Sequence, residues 1–292
     1  MWIADKWEDY ALIDAEGGER LERWGEYILI RPDPQILWKG ERRDPLWRCA
    51  DGVYKRRGGG GSWVVSNMPD SWNVGYGRYR FQIKPMGFKH TGIFPEQAAN
   101  WDWASGIIRR AVEQDGSAPS VLNLFAYTGG ATVACAEAGA SVCHVDASRG
   151  MVAAAKENMR LTGLADAPCR YIVDDCKKFV EREIRRGRKY DAVIMDPPSY
   201  GRGPGGEVWK LEECADELIT LVSKVLSDKP LFFLINSYTT GLSPATMGYM
   251  LMKALGSRAS LGTLETGETG IPVQNSGLIL PSGASARWAL KE

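Results

Sequence analysis

VLNLFAYTGGATVACAEAGASVCHVD, residues 121–146, is the stretch on which the fold turns. Val121 to Tyr127 is an apolar run of strand length that ends on Gly129 and Gly130. Ala131 to Ala138 then has helical composition and stops at Gly139, and Ser141 to Val145 is a second apolar run, closed by Asp146. A strand, a short helix and a strand open a strict alternation of the two element types.

The alternation continues downstream. Ser148 is placed to cap a helix with Val152, Ala155 and Met159 on one face. Arg170 to Val173 reads as a third strand, and the next helix turns Cys176, Phe179, Val180 and Ile184 inward. Tyr190 to Met195 is a fourth strand. Leu211, Cys214, Leu218, Leu221, Val222 and Val225 mark a long amphipathic helix, and Leu231 to Ile235 a fifth strand. Ser243 and Pro244 open a last helix that carries Met247, Met250, Leu251, Ala254 and Leu255. Segments near Ser260 to Leu264 and Ala284 to Ala289 supply a closing pair of strands. Apolar strands alternating with amphipathic helices predict an α/β fold: a Rossmann-like, seven-stranded, mostly parallel sheet with helices on both faces.

Upstream, Ala104, Ile107, Ile108, Ala111 and Val112 recur at helical spacing between Pro95 and Gln114. Before that the pattern is of short strands, Tyr27 to Ile30, Ser62 to Ser66 and Tyr79 to Ile83, broken by Asp33-Pro34 and the glycine run Gly58 to Gly61. Two domains are therefore expected. Residues 1–84 form a small β-rich, Trp-rich domain suited to substrate recognition, and residues 85–292 the sheet domain. The tryptophans Trp2, Trp7, Trp24, Trp38, Trp47, Trp63 and Trp72 serve either as the core of a domain too small for aliphatics alone or, one or two of them, as platforms for bases.

Charge is balanced, with 36 basic and 36 acidic residues, so no global field draws in a polyanion. Arg42-Arg43, Lys55 to Arg57 and Arg182 to Lys189 are the local basic clusters. Six cysteines without a CxxC pair suit reduced thiols in the cytoplasm, and with only two histidines no metal site is expected. No apolar run is long enough to predict a membrane span. The oligomeric state stays open, a homodimer being one arrangement.

Ligands of open parallel sheets bind beyond the carboxyl ends of the strands, which singles out four places. The first is the turn Asn123, Leu124, Phe125, Ala126, Tyr127, Thr128, Gly129, where glycine lets the backbone approach a ligand at a helix start. It lacks the GxGxxG spacing of dinucleotide sites, which shifts weight from NAD toward a cofactor without phosphate. The second is Asp146, with Ala147 and Ser148 beside it, where a carboxylate can accept both hydroxyls of a ribose. The third is Asp174-Asp175 with Cys176, where Asp175 can meet an adenine amino group and where helix capping would also explain one carboxylate. The fourth is Asp196-Pro197-Pro198-Ser199-Tyr200. Two prolines in series fix an extended turn and leave the Asp196 carboxylate to orient an acceptor, with Tyr200 available to stack on a base.

Together these motifs resemble class I S-adenosylmethionine-dependent methyltransferases over about residues 85 to 292. Lys89-His90-Thr91-Gly92-Ile93-Phe94-Pro95-Glu96-Gln97 narrows the resemblance. It is similar to the K-T-G-x-F-x-x-Q stretch of the large-subunit ribosomal RNA methyltransferase family that includes 5-methylcytosine and 7-methylguanine enzymes. In that family the stretch lines the cofactor, which implies Thr91, Gly92, Phe94 and Gln97 as contacts. The tail Ser276 to Pro281 with Ala286-Arg287-Trp288 is similar to the end of the group's bacterial members.

The resemblance implies S-adenosylmethionine as cofactor and RNA as substrate. Two departures qualify it. Carbon-5 methylation of cytosine needs a thiolate, and the two places where such members carry it read Pro197-Pro198-Ser199-Tyr200 and Asn236-Ser237-Tyr238 here. Direct in-line transfer is expected instead, with Asp196, Pro197, Pro198 and Tyr200 as the catalytic turn. The N-terminal segment also does not read as the family's RNA-binding PUA domain. A protein or small-molecule substrate, a non-catalytic RNA-binding protein on the same fold, and an NAD-linked oxidoreductase are the competing readings.

Overall fold

The computed structural model describes residues 1–57, 60–202 and 208–291. Gly58 and Gly59 of the glycine run, and residues 203–207 of the loop after the double proline, lie outside the described residues. The chain divides into two compact units. One comprises Ile3–Ala98 and Gly270–Ser282, and the other Met1–Trp2, Ala99–Thr269 and Gly283–Glu292. The first unit therefore runs past the expected limit at residue 84 and takes in a segment from near the end of the chain.

The first two-residue strand is β1 (Trp2–Ile3). A five-stranded sheet follows in the order β2 (Tyr10–Glu16), β3 (Glu19–Trp24), β4 (Tyr27–Pro32), β5 (Gly52–Arg57) and β6 (Gly60–Val65). Strands β7 (Trp72–Tyr76) and β8 (Tyr79–Ile83) form a separate antiparallel ribbon. Strands β2 and β3 are not among the expected strands; Asp14, Arg20, Glu22 and Arg23 interrupt their apolar pattern. In the fold Glu22 is wholly buried, and Arg31 grips its carboxylate with Nε and Nη2 at 2.6 and 2.7 Å while the Tyr10 hydroxyl donates at 2.9 Å. Arg20 pairs with Asp33 beside them. The tryptophans are tied in by their indole N–H groups: Trp7 donates to the Pro95 carbonyl, Trp63 to Met86, Trp72 to Trp24 and Trp47 to the Asp14 carboxylate, each within 3.0 Å.

The second unit is built on β9 (Ser120–Leu124), β10 (Ser141–Asp146), β11 (Cys169–Val173), β12 (Ala192–Met195), β15 (Phe232–Ser237), β16 (Gly262–Pro272) and β17 (Ile279–Leu290), with β13 (Tyr200–Arg202) and β14 (Val208–Lys210) forming a small hairpin apart from the sheet. The sheet order is β1-β16-β17-β15-β12-β9-β10-β11, eight strands because the short β1 adds to the seven expected. Strands β15, β12, β9, β10 and β11 are parallel, and β17 runs antiparallel to β15. The helices are α1 (Ala98–Asp115), α2 (Gly130–Glu137), α3 (Arg149–Leu161), α4 (Cys176–Arg185), α5 (Leu211–Ser223) and α6 (Pro244–Leu255). Ser148 and Ser243 cap α3 and α6, as their positions ahead of the apolar periodicity require. Leu122, Val145, Phe179, Val193, Leu218, Phe233 and Trp288 belong to one continuous core. No helix among the described residues is long and apolar enough to cross a membrane.

Candidate active site

Register brings the four predicted places to one edge. Leu124 lies beside Val145 on one side and Met195 on the other, and Met195 lies beside Ile235. Asp146 in turn lies beside Val173, so Phe125, Asp146, Asp174 and Asp196 form a row at the carboxyl edge of the parallel strands, joined by Asn236, which is not among the four predicted places. The chain leaves β9 toward β10 and β11, then returns to lay β12 on the other side of β9, so the row sits at a topological switch point.

The turn after β9 is the most constrained backbone in the row. Strand β9 ends at Leu124, short of the expected Tyr127, because Phe125 has φ 54° and Tyr127 φ 50°. Two non-glycine residues in the left-handed region within three positions is a strained arrangement. It is held by the Phe125 N–H donating to Cys176 Sγ at 3.3 Å, the Ala126 N–H to the Val145 carbonyl at 3.1 Å and the Tyr127 N–H to Asp146 Oδ2 at 2.9 Å. Gly129, at φ 81°, starts α2; a Cβ there would stand 2.8 Å from that of Ala155, and one at Gly130 2.5 Å from the Trp101 ring. Asn123, Thr128 and Cys176 are buried. The Asn123 amide donates to Thr132 Oγ1 at 2.9 Å, which in turn meets His144 Nδ1 at 2.9 Å. Burial pushes the His144 pKa down to about 4, so that ring is neutral under the sheet edge.

Asp146 takes one backbone N–H on each oxygen, Tyr127 on Oδ2 and Ser148 on Oδ1 at 2.8 Å, and Ala147 and Ser148 are exposed. A carboxylate oxygen has room for two donors, so both oxygens can take a further hydroxyl. Asp174 pairs with Arg182, and exposed Asp175 caps α4 by accepting the Lys178 N–H on Oδ1 at 2.9 Å. Capping is thus the role of Asp175 that the fold itself uses.

In the Asp196 turn, Asp196 Oδ1 accepts from Asn236 Nδ2 at 2.9 Å. Pro197 is buried, and the Pro198 carbonyl accepts the Trp209 indole N–H at 2.7 Å. Trp209 stands on the β13–β14 hairpin with its ring 6.3 Å from that of Phe125, joining the two turns. Ser199 Oγ accepts from Thr239 Oγ1 at 2.8 Å, and Tyr200 is half exposed. Asn236 and Trp209 escape sequence reasoning. Asn236 had one visible signal, a polar residue just past an apolar strand; Trp209 had none, since the hairpin has no strand-length apolar run.

Thr91, Gly92, Phe94 and Gln97 fall in the unit that comprises Ile3–Ala98. Thr91 is wholly buried, its Oγ1 has no hydrogen-bond partner among the described residues, and its carbonyl accepts the Lys84 N–H at 2.9 Å. Gly92 has φ 109° and a Cβ there would stand 3.0 Å from the Gln82 carbonyl oxygen. Phe94 stacks edge-on with His90, and its carbonyl closes a turn with the Gln97 N–H at 3.1 Å. Among the described residues no group of three or more acidic, His or Cys side chains is arranged to hold a metal ion.

Comparison with known proteins bears on this geometry. A solved S-adenosylmethionine-dependent methyltransferase from Agrobacterium tumefaciens is 35% identical, superposes with a TM-score of 0.89, and the alignment covers 99% of this chain and 93% of that one. The structure of SMU.776 complexed with SAH shares the fold at 17% identity and a TM-score of 0.70, over 97% of this chain and 76% of that one. The ribosomal RNA large subunit methyltransferase K/L of Shewanella frigidimarina is 31% identical over 150 residues, that of Shewanella baltica 34% over 122 residues. These alignments take in 51% and 41% of this chain but only 20% and 16% of the relatives, so the chain matches about a fifth of the length of those curated proteins. The profile of the S-adenosylmethionine-dependent methyltransferases matches residues 51–211, across both the double-proline turn and the β9 and β10 edges. The chain belongs to the S-adenosylmethionine-dependent methyltransferase family.

Proposed function

We propose that this enzyme methylates RNA, most specifically a base of large-subunit ribosomal RNA, by direct transfer and without a cysteine nucleophile. The substrate class is supported by the 31–34% identity to relatives named as ribosomal RNA large subunit methyltransferases. Direct transfer is supported by the residues at the acceptor edge, where Asp196 to Tyr200 and Asn236 to Tyr238 contain no cysteine. Cys176, whose Sγ accepts the Phe125 N–H, is buried and its pKa is pushed far up by desolvation, which suits packing and not attack.

The chain's residues fit the cofactor. Asp146 keeps acceptor capacity on both oxygens for the two ribose hydroxyls, and the left-handed Phe125 and Tyr127 backbone fixes the turn that ends β9 beside it. Asn123, Phe125, Ala126, Tyr127, Thr128, Gly129, Asp146, Ala147, Ser148, Asp175 and Cys176 are assigned to its surroundings, as are Thr91, Gly92, Phe94 and Gln97. When bound, S-adenosylmethionine supplies an activated methyl group. The protein's work is then alignment and accommodation of charge. Asp196 orients the acceptor, Pro197 and Pro198 keep the turn extended, and Tyr200 offers an exposed ring to a base. Recognition of the wider substrate is assigned to the N-terminal unit, and the site of action to the cytoplasm.

Two measurements test this reading. Calorimetry with S-adenosylhomocysteine should show binding. Nucleoside analysis of ribosomal RNA from cells with and without the gene should show one modified base missing; identical profiles would rule out ribosomal RNA as substrate.

A further inference from the structure

Behind the acceptor turn a file of buried polar side chains runs from the sheet edge to α1. Asn236 Nδ2 donates to Asp196 Oδ1 at 2.9 Å, Ser285 Oγ to Asn236 Oδ1 at 2.8 Å, and Asn100 Nδ2 to Ser285 Oγ at 3.3 Å. Arg287 closes the file, giving Nε and Nη2 to Asn100 Oδ1 at 2.9 and 2.6 Å. Asn100, Asn236, Ser285 and Arg287 are all at most 3% exposed. The guanidinium also donates to the Ala99 carbonyl and lies 3.8 Å from the Trp2 ring centroid and 5.3 Å from that of Trp103.

The two ends dictate the direction of every link. Arginine can only donate, so Asn100 must turn its oxygen to it and its amide to Ser285; an ionised carboxylate can only accept, so Asn236 must turn its amide to Asp196 and its oxygen to Ser285. The Ser285 hydroxyl then has one orientation, accepting from Asn100 and donating to Asn236. Aligned hydrogen bonds between a cation and an anion in a low-dielectric interior polarise one another. Burial pulls the Arg287 pKa down to about 10, with Glu265 opposing, which still leaves the guanidinium charged at neutral pH. Packing alone would be met by apolar side chains of the same size, because a buried polar file costs desolvation at each member.

We propose that Asn236 is the positioning residue of Asp196, and that the file Arg287–Asn100–Ser285–Asn236 fixes the carboxylate with Oδ1 already engaged as an acceptor, so that the methyl acceptor must present an N–H or O–H donor to it. The inference rests on the reading that Asp196 faces the acceptor.

The test breaks a link remote from the site. In 13C,15N-labelled ligand-free protein, the Asn236 side-chain amide and the Asp196 carboxyl carbon are assigned with Asn236→Ser and Asp196→Asn. Ser285→Ala should move both resonances, and Ser285→Thr, which keeps the hydroxyl, should return them toward the wild-type values. If Ser285→Ala does not fold, Ser285→Cys, with a poor donor of similar size, carries the same comparison. Affinity for S-adenosylhomocysteine should stay within about twofold, while kcat on RNA from cells lacking the gene falls roughly tenfold at unchanged KM. Unmoved Asp196 and Asn236 resonances in the serine variants would overturn the relay. A wild-type protein that fails to bind S-adenosylhomocysteine would instead overturn the assignment of the cofactor edge, and the resonance comparison would still decide the relay.

Discussion

Asp146 and Asp196 carry opposite burdens at the ends of the two strands that flank β9. Asp146 fastens the strained turn through Tyr127 and the start of α3 through Ser148, and the proposed reading adds a ribose to its remaining acceptor capacity. Asp146→Ala should weaken S-adenosylhomocysteine binding by about 1.5–3 kcal/mol, the cost of losing hydrogen bonds to a charged acceptor, which calorimetry would record as a ten- to hundredfold rise in Kd. Asp196 is engaged from the other side, by Asn236. Asp196→Ala should abolish methyl transfer and leave the nucleoside affinity within about twofold; parallel loss of both would refute the division of labour between the two carboxylates.

At the level of elements, the turn into α2 is set by what glycine leaves out. A methyl group on Gly129 would meet Ala155 of α3 at 2.8 Å on a backbone of φ 81°. Gly129→Ala should therefore lower stability by about 1–3 kcal/mol and depress Tm by several degrees, with a loss of cofactor affinity as α2 shifts. The strand–helix alternation from Val121 to Leu255 was legible because each strand is mostly apolar and most of the helices show one apolar face, and Ser148 and Ser243 announced their helices. The row of Phe125, Asp146 and Asp196 was legible for the same reason, since the edge of a parallel sheet follows once strand ends are known. What stayed hidden depends on pairing. Strands β2 and β3 carry charges that find their partners only after folding, as Glu22 does in Arg31. The Asn236–Ser285–Asn100 file joins residues 49 and 185 positions apart, a separation no local pattern encodes.

For the molecule as a whole, the ionic cluster makes the N-terminal unit acid-sensitive. Burial alone would raise the Glu22 carboxyl, but the Arg31 charge and hydrogen bonds, with Arg20 and Tyr10, hold it below its ordinary value of 4.5. A lowered folded value means that this stabilisation is complete above pH 4.5 and drains away as the pH falls through the folded value. Acid titration followed by tryptophan fluorescence should show that loss, and Glu22→Gln should cost about 3–5 kcal/mol at neutral pH while flattening the acid limb. The same unit is discontinuous. Gln274 and Asn275 donate backbone N–H groups to the Leu12 and Ile13 carbonyls at 2.9 and 3.0 Å, Ala4 donates to Gly270, and Arg20 donates to Ser282 at 3.4 Å. A nascent polypeptide emerging from the exit tunnel therefore cannot finish what it makes first: the opening ninety-odd residues must wait, partly unsatisfied, until translation has delivered residues 270–282.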